Sequence, residues 1–522
     1  MKNSLVSLRL GACLGALALG FGMLAGCGSH SNSGTPSGEG GSAGSVGEGG
    51  EGGTGEAGAG GGGAAPATCT PSVEIASDSR SFIVTDPEVL AKFNLERVLQ
   101  QLIDEAGGPL GFTPLELLQR LFDTENTAAG GAFADVAHCD AFSFAFMNEA
   151  PTHCPRAEGA LATDPNLLTD GDPNSFVPVA IVNRFDLTRI SGVACGEYRI
   201  VYAKSSGKTN PDDRVFIIIE ASLANPLMPD VMGCAPVANM WASLEKETDI
   251  EIVASKLENF FFTGLPGFKP VVHPDNCGDQ SPEDDGSYGG SKGQVRVGHK
   301  MQVPWEWREF LLKRQPAGQA PLSFVPVTVK NNPLPERFDV EATPGEEWFR
   351  QEFMMTSTQP LASSDIHGIR MQSPGKSNMG QSAFEGAAAS DYASRGSKQP
   401  GNDFASQLDD HLTSLNLGTS CPPDDPLTGK NILQRASVQT CAGCHAPQKF
   451  LDAGNGIGCG LTWPDSLGEV HIDESGKLSP ALTDVFLPRR AAVLSTFVGG
   501  CSIDAINAML MPADPGDMVI PK

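Results

Sequence analysis

Apolar residues recur at helical spacing in several segments of the chain. In residues 87–106, Leu90, Phe93, Val98 and Leu102 follow one another at near-helical intervals, and two glycines directly after this segment end the pattern. Similar patterns predict further helices over residues 113–122, 235–247, 249–262, 305–312, 346–353, 431–437 and 487–498.

Three runs rich in β-branched and aromatic residues predict strands, at 177–187, 197–204 and 214–221. Turn-forming Gly, Asn, Pro and Asp residues separate these runs, which suits an antiparallel sheet. The pattern therefore predicts an α+β main domain over residues 68–420, followed by a smaller and mostly α-helical unit over residues 421–522.

The N-terminus has the features of an export signal. Basic residues at positions 2 and 9 precede an apolar stretch over residues 10–24, which is short and rich in glycine, as in a signal peptide. The stretch ends in Leu-Ala-Gly-Cys, which resembles the lipobox of bacterial lipoproteins. The resemblance implies cleavage after residue 26 and lipidation of Cys27, whereas the alternative is an ordinary secretory signal with a chance cysteine.

The resemblance also implies a destination. Gly28 follows the cysteine where lipoproteins kept in the inner membrane often carry Asp, so we expect an exported protein anchored in the lipid bilayer of the cell envelope, at the outer membrane. Residues 27–67 are dominated by glycine and predict a disordered linker behind the lipid anchor. The net charge of −26 makes nucleic-acid binding improbable.

Thirteen cysteines are present, and removing Cys13 and Cys27 with the export segment leaves eleven. Export to an oxidising compartment predicts disulfides. Because eleven is odd, at least one cysteine must stay unpaired within the chain, and Cys69 at the edge of the linker is our candidate. Cys459 and Cys501 are the favoured local pair.

One motif carries specific chemistry, namely Cys441-Ala442-Gly443-Cys444-His445. The spacing Cys-x-x-Cys-His is that of covalent haem attachment. Two cysteines three residues apart span the two vinyl groups of a haem, and the histidine that follows then lies beneath the iron. The helix predicted over residues 431–437 leads into the motif.

At this motif the chain resembles the small monohaem c-type cytochromes, over about residues 421–522. The resemblance implies haem c as cofactor, Cys441 and Cys444 as thioether positions and His445 as the proximal iron ligand. It also implies a redox partner protein and a distal methionine ligand, for which Met511 before a proline fits. The family has a helix after that methionine, whereas few residues follow here, so Met509 and His471 stay open as alternatives.

Other interpretations of the motif compete with haem. A structural Cys441–Cys444 disulfide would make the protein a haem-free scaffold or binding lipoprotein. A zinc site could use the motif together with Cys459, and a thioredoxin-like redox pair is a further option. Residues 68–420 contain no catalytic constellation, which favours an electron carrier over an enzyme; an enzyme domain that supplies electrons to the haem is the third alternative.

Overall fold

An antiparallel sheet organises the described part of the chain. The computed structural model describes residues 69–108, 111–141, 153–279, 293–316, 319–342, 345–373, 377–378, 380–383 and 391–510. Within these ranges the strands are β1 (Ile83–Val84), β2 (Phe176–Arg184), β3 (Ala194–Lys204), β4 (Val215–Ala224), β5 (Gln294–His299), β6 (Glu306–Arg314), β7 (Leu322–Val327) and β8 (Ser382–Ala383). They pair in the order β1 to β7, and β8 pairs with β6; every pairing is antiparallel.

Helices surround this sheet, so the predicted α+β class is confirmed. The helices are α1 (Pro87–Leu90), α2 (Leu95–Glu105), α3 (Pro114–Asp123), α4 (Ala235–Ala242), α5 (Ile250–Glu258), α6 (Glu347–Leu361), α7 (Tyr392–Gly396), α8 (Phe404–Ser414), α9 (Gly429–Ser437), α10 (Cys441–His445), α11 (Leu487–Val498) and α12 (Ile503–Met509). The segment predicted as one helix over residues 87–106 is interrupted at Asn94, which has extended backbone and caps α2 through its side chain. None of the described helices is long and apolar enough to cross a membrane.

Side chains alternate between the two faces of the sheet, as the pleat requires. In β3, Tyr198 and Tyr202 belong to the main hydrophobic core, which α1 to α5 and α11 complete. Val201 and Ala203 point to the other face and pack with Ala442 of α10. The sheet is therefore covered on both faces, and the C-terminal part of the chain covers the second one.

The helix predicted over residues 305–312 is wrong, because this segment forms strand β6. Trp307 and Glu309 face one side of the sheet and Arg308 and Phe310 the other. Both faces of β6 are buried and both hold charged residues in ion pairs. The hydrophobic–polar alternation that identifies a half-exposed strand is therefore missing.

The residues after position 421 share in three hydrophobic clusters. Helix α9 packs with α6, α7 and α8 in a helical cluster around Phe338 and Tyr392, α10 packs on the second face of the sheet, and α11 joins the main core. All described residues belong to one compact unit that spans Ala64–Lys522. The predicted domain boundary at residue 421 therefore does not coincide with a change from one hydrophobic cluster to another.

Four disulfides are formed: Cys69–Cys501, Cys139–Cys154, Cys195–Cys234 and Cys421–Cys459. The prediction of disulfides is confirmed, but the pairing of Cys459 with Cys501 and the unpaired Cys69 are wrong. The backbone N–H of Ser72 donates to the carbonyl oxygen of Gly499 at 2.9 Å, so tertiary contacts bring the two ends of the described chain together. Among the described cysteines, Cys277, Cys441 and Cys444 are free.

A cluster of buried charges lies behind β5 and β6, on the face of the main core. Glu125, buried after α3, forms an ion pair with Arg308 of β6 at 3.0 Å, and Arg156 forms one with Glu306 at 3.3 Å. Burial raises the pKa of Glu125 from its ordinary 4.5 to about 7. This carboxyl group is therefore protonated below about pH 7 in the folded protein, and its contact with Arg308 becomes an ion pair only above that pH.

Candidate functional site

Helix α10 presents the Cys-x-x-Cys-His motif as a single helical turn on the second face of the sheet. The side chain of Thr440 caps this turn, accepting a hydrogen bond from the backbone N–H of Gly443 at 2.9 Å. A Cβ atom on Gly443 would lie 2.0 Å from the carbonyl oxygen of Ser437 at the end of α9. The backbone N–H of Ala442 donates to Ser382 Oγ of β8 at 2.9 Å. Contacts with β8 and with the end of α9 therefore constrain the two residues between the cysteines.

The thiols of Cys441 and Cys444 are free and keep some exposed surface. Burial, followed by the proximity of Cys441, raises the pKa of Cys444 to about 12, and burial also raises the pKa of Cys441. A thiol–disulfide redox pair needs a thiolate and therefore a lowered pKa. The thioredoxin-like interpretation does not fit this site.

His445 is held in one tautomer. Its Nδ1 lies 3.2 Å from the carbonyl oxygen of Glu469. Because a carbonyl oxygen only accepts hydrogen bonds, Nδ1 carries the proton and Nε2 keeps a free lone pair. Burial, with His471 as the next cause, holds the pKa of His445 well below its ordinary value, so the ring is neutral. A neutral imidazole with Nδ1 bonded to a backbone carbonyl is the form that binds metals through Nε2.

A second histidine, His471, lies directly beside the motif. Its Nε2 is 3.4 Å from Cys444 Sγ, its Nδ1 is 2.9 Å from Ser479 Oγ, and its ring centroid is 4.6 Å from that of His445. Burial and then the charge of Arg490 lower the pKa of His471 to about 4. His471 is therefore also neutral, and its Nε2 points to the cysteine sulfur.

The segment that carries His471, residues 467–479, is tied to the sheet. We call it the His471 loop. An isolated bridge between Ile472 and Leu478 closes it. Glu474 forms an ion pair with Arg214 just before β4, and Glu469 forms one with Lys300 just after β5. These contacts hold His471 and the carbonyl group of Glu469 against α10.

A ladder of charged side chains, most of them partly or fully buried, runs across the sheet beneath the motif. Arg199 lies opposite Glu220 in the register of β3 and β4, and Arg296 lies opposite Glu309 in that of β5 and β6. Arg296 also forms an ion pair with Glu220 at 3.2 Å. The ladder extends to Arg184, Asp186, Glu197, Lys330 and Arg490.

Aromatic rings form a continuous row through the site. The successive centroids are 6.1, 6.4, 4.6, 4.6 and 6.0 Å apart. The rings in this row are those of Trp463, Phe486, His471, His445, Trp307 and Trp305. At the Trp463 end the row borders a cleft open to solvent, which Gln448, Asp465 and Asp484 also line.

The remaining predicted site residues are either outside the described part of the chain or engaged elsewhere. Cys27 and Met511 lie outside the described residues. The sulfur of Met509 accepts a hydrogen bond from Arg489 at 3.3 Å. Cys459, required by the zinc interpretation, is bonded to Cys421. In the part of the chain that the structure describes, no three His, Cys, Asp or Glu side chains are arranged to hold a bare metal ion.

The sequence pattern missed the charged residues around the site. Arg199, Arg296 and Arg490 lie far from one another in the sequence. No local spacing connects them with α10. Comparison with models of protein families, with curated proteins and with solved structures finds no match for this chain. The function is therefore argued from the site itself.

Proposed function

We propose that this protein is a lipid-anchored carrier of haem c that transfers single electrons. The observation that carries the proposal is the state of the motif: two free thiols three residues apart, followed by a neutral histidine whose Nε2 is available. Covalent haem attachment needs free thiols, and axial ligation needs this tautomer. The residues present therefore fit a haem c group.

In this proposal each residue has a separate role. Cys441 and Cys444 would hold the haem through thioether bonds, and His445 would bind the iron through Nε2. The bound haem supplies an iron that alternates between Fe(II) and Fe(III), with a potential set by its axial ligands and by burial. The carbonyl oxygen of Glu469 keeps the His445 ring in the ligand tautomer, and Thr440 keeps α10 in place.

The route of the electron is inferred from the row of rings. It connects His445 with the cleft beside Trp463, so we infer that a redox partner protein exchanges electrons there. An anchor at Cys27 would keep the protein at the lipid bilayer of the cell envelope, and the lipobox-like sequence favours the outer membrane.

The decisive experiment is a haem stain of denatured protein, made in a host that matures c-type cytochromes. The full chain is expected to keep covalent haem, and Cys441→Ala with Cys444→Ala is expected to lose it. Cys277→Ala is the matched control, because Cys277 is also a free thiol but is buried in the main core, apart from the motif. This control is expected to stain like the parent protein.

The main alternative is a haem-free scaffold or binding lipoprotein with a Cys441–Cys444 disulfide. A colourless protein from the same host, in which peptide mapping finds an intact Cys441–Cys444 bridge, would overturn the electron-transfer proposal in favour of that alternative. Colourless protein with free thiols would overturn both.

A further inference from the structure

The connection between strand β4 and helix α4 exposes a group of large apolar side chains. Leu227 is 62% exposed, Met228 49% and Met232 42%. Pro226 and Pro229, on either side of the first two, are exposed as well. Single exposed apolar residues are common on protein surfaces, whereas a contiguous group marks a surface that contacts another molecule. We call these five residues the apolar loop.

A neighbouring turn extends the apolar surface. The backbone N–H of Gly192 donates to the carbonyl oxygen of Arg189 at 2.9 Å and closes a turn that leaves Ile190 exposed. The turn touches the apolar loop, because a Cβ atom on Gly192 would lie 2.3 Å from the carbonyl oxygen of Pro229. The exposed apolar surface therefore covers two adjacent segments at one end of the sheet.

Contacts from beneath hold the apolar loop in its exposed conformation. The buried side chain of Asn225 donates to the carbonyl oxygens of Gly192 and Asp230, both at 2.8 Å. It also accepts a hydrogen bond from the backbone N–H of Leu227 at 3.0 Å. A Cβ atom on Gly233 would lie 2.8 Å from Leu227 Cβ, so the backbone packs closely against the base of this side chain. The apolar side chains are therefore kept at the surface by a specific hydrogen-bonded conformation.

The shape of the apolar loop suits contact with a lipid surface. Positions 226 to 230 are all exposed, so this segment projects from the folded unit. A stable protein–protein interface buries at least about 1,200 Å² and needs a broad complementary face, which a projecting loop does not offer. Apolar side chains can instead enter the boundary between the headgroups and the acyl chains of a bilayer, where no complementary shape is needed.

The length of chain before the described residues keeps a bilayer within reach. About forty residues separate Cys27, the proposed lipid attachment point, from Cys69, where the described residues begin. As the coil that its glycine-rich composition predicts, a segment of this length spans roughly 35 Å. So short a connection keeps the folded unit at a high local concentration beside the membrane, where even a weak apolar contact forms.

We propose that the apolar loop is a second membrane contact, which inserts into the surface of the bilayer that holds the Cys27 anchor. This inference rests on the lipid anchor of the proposed function. The net charge of −26 and the exposed side chain of Asp230 repel anionic headgroups, so the lipids contacted are zwitterionic. The apolar side chains supply the attraction.

This contact orients the candidate site relative to the membrane. Strand β4 has ten residues and is about 30 Å long. Arg214, just before it, forms the ion pair with Glu474 of the His471 loop, and Asn225, just after it, lies at the base of the apolar loop. The two loops are therefore at opposite ends of β4. With the apolar loop in the bilayer, the His471 loop is turned away from the lipid.

The first arm of the test measures contact between the apolar loop and lipid. The lipidated full chain is placed in phosphatidylcholine vesicles with brominated acyl chains, which quench tryptophan fluorescence on contact. The fluorescence that Leu227→Trp adds to the parent is expected to be quenched. Val303→Trp is the matched control and should stay unquenched, because Val303 is also exposed and apolar but follows β5 at the opposite end of the sheet. Equal quenching of both variants would overturn the proposal.

The second arm uses the methionines of the apolar loop. Chloramine T, an oxidant that stays in water, converts accessible methionines to sulfoxides, and mass spectrometry measures each rate. In the same vesicles, Leu227→Glu is expected to raise the oxidation rates of Met228 and Met232 several-fold, because a charged side chain does not enter the bilayer. Met355, exposed on α6, is the internal reference and should keep its rate. Unchanged rates at Met228 and Met232 would overturn the proposal.

The outcomes separate this inference from the proposed function. A lipidated chain in which Leu227→Trp is not quenched would overturn the membrane contact and leave the anchor intact. If mass spectrometry finds no lipid on Cys27, the anchor is wrong, and the same vesicles are added to the unlipidated full chain. Quenching of Leu227→Trp alone would then support the apolar loop as a lipid-binding surface, and no quenching would overturn it too.

A second copy of the chain is the other possible occupant of the apolar loop. In that case Met228 would be protected from oxidation at high protein density, its protection would disappear when the vesicles are diluted with lipid, and Leu227→Trp would not be quenched. That combination would assign the apolar loop to self-association and overturn the membrane contact.

Discussion

At the residue scale, one backbone carbonyl determines what His445 can do. The hydrogen bond from Nδ1 to the oxygen of Glu469 assigns the proton, and it leaves Nε2 as the only nitrogen for a metal. Glu469 lies on the His471 loop, which also brings His471 to Cys444. The same loop thus orients one imidazole and supplies another.

The first prediction concerns the second axial ligand. His471 is a candidate for this role, because its ring lies 4.6 Å from that of His445. If it binds the iron, His471→Met is expected to raise the reduction potential, because a methionine ligand raises it relative to histidine. Met511→Leu is the comparison variant and should leave the potential unchanged. Spectroelectrochemistry on haem-loaded protein measures both. A potential that falls in Met511→Leu and stays constant in His471→Met would assign Met511 instead, as the sequence spacing predicts.

The second prediction concerns Gly443, where α10 approaches the end of α9. Gly443→Ala is expected to destabilise the protein by about 1–3 kcal/mol, a typical cost of overpacking, because its Cβ would collide with the carbonyl oxygen of Ser437. Covalent haem should decrease in parallel. Gly456→Ala is the control, since a Cβ at Gly456 has nothing within 4 Å. Denaturant unfolding compares the two; equal stabilities would show that the α9–α10 approach is not tight.

At the element scale, strand β6 is charged and buried on both faces, with one ion-pair cluster on each side. Glu309 joins the ladder under the motif, whereas Arg308 pairs with Glu125 behind the sheet. Buried ion pairs contribute little net stability but are costly when incomplete. Because their charges depend on pH, these ion pairs make the stability of the fold depend on pH.

The third prediction follows from Glu125, whose pKa rises to about 7 in the folded state. Between about pH 4.5 and 7 the unfolded chain loses this proton and the folded chain keeps it, so this group lowers the free energy of unfolding as pH rises through that window. Glu125→Gln should flatten the dependence of the free energy of unfolding on pH in that window by on the order of 3 kcal/mol. Chemical denaturation at a series of pH values measures it. A parallel profile in the variant would show that Glu125 ionises normally.

At the scale of the whole molecule, the proposed anchor and the folded unit are separate features. The lipobox-like sequence at Cys27 lies outside the described residues, so the anchor rests on sequence alone. Its role in the proposal is to hold an electron carrier at a lipid surface. It can be tested independently of the haem.

The fourth prediction is that Cys27→Ala abolishes labelling by a radioactive fatty acid and leaves the precursor unprocessed after residue 26. Cys13→Ala, within the apolar stretch, is the matched control and should be labelled like the parent. Labelled cells and gel analysis of the precursor measure both effects. Undiminished labelling of Cys27→Ala would exclude the lipoprotein assignment.

Local patterns predicted much of the fold. Helices α3 and α11 follow from apolar spacing, Pro114 and Thr113 mark the start of α3, and strands β2 to β4 follow from their β-branched residues. Strand β6 could not be predicted in this way, because buried ion pairs on both faces remove the alternation. The disulfide pairings could not be predicted either, since Cys69 and Cys501 are 432 positions apart in the sequence and only the tertiary fold brings them together.

The same division holds for the candidate site. The sequence by itself determined that the two cysteines and the histidine of the motif lie close together, because residues on one helical turn are near each other in any fold. Only the tertiary structure decided that Glu469 fixes the tautomer of His445 and that His471 reaches Cys444. These contacts join distant segments through packing against the sheet, and local spacing carries no information about which distant side chains will meet there.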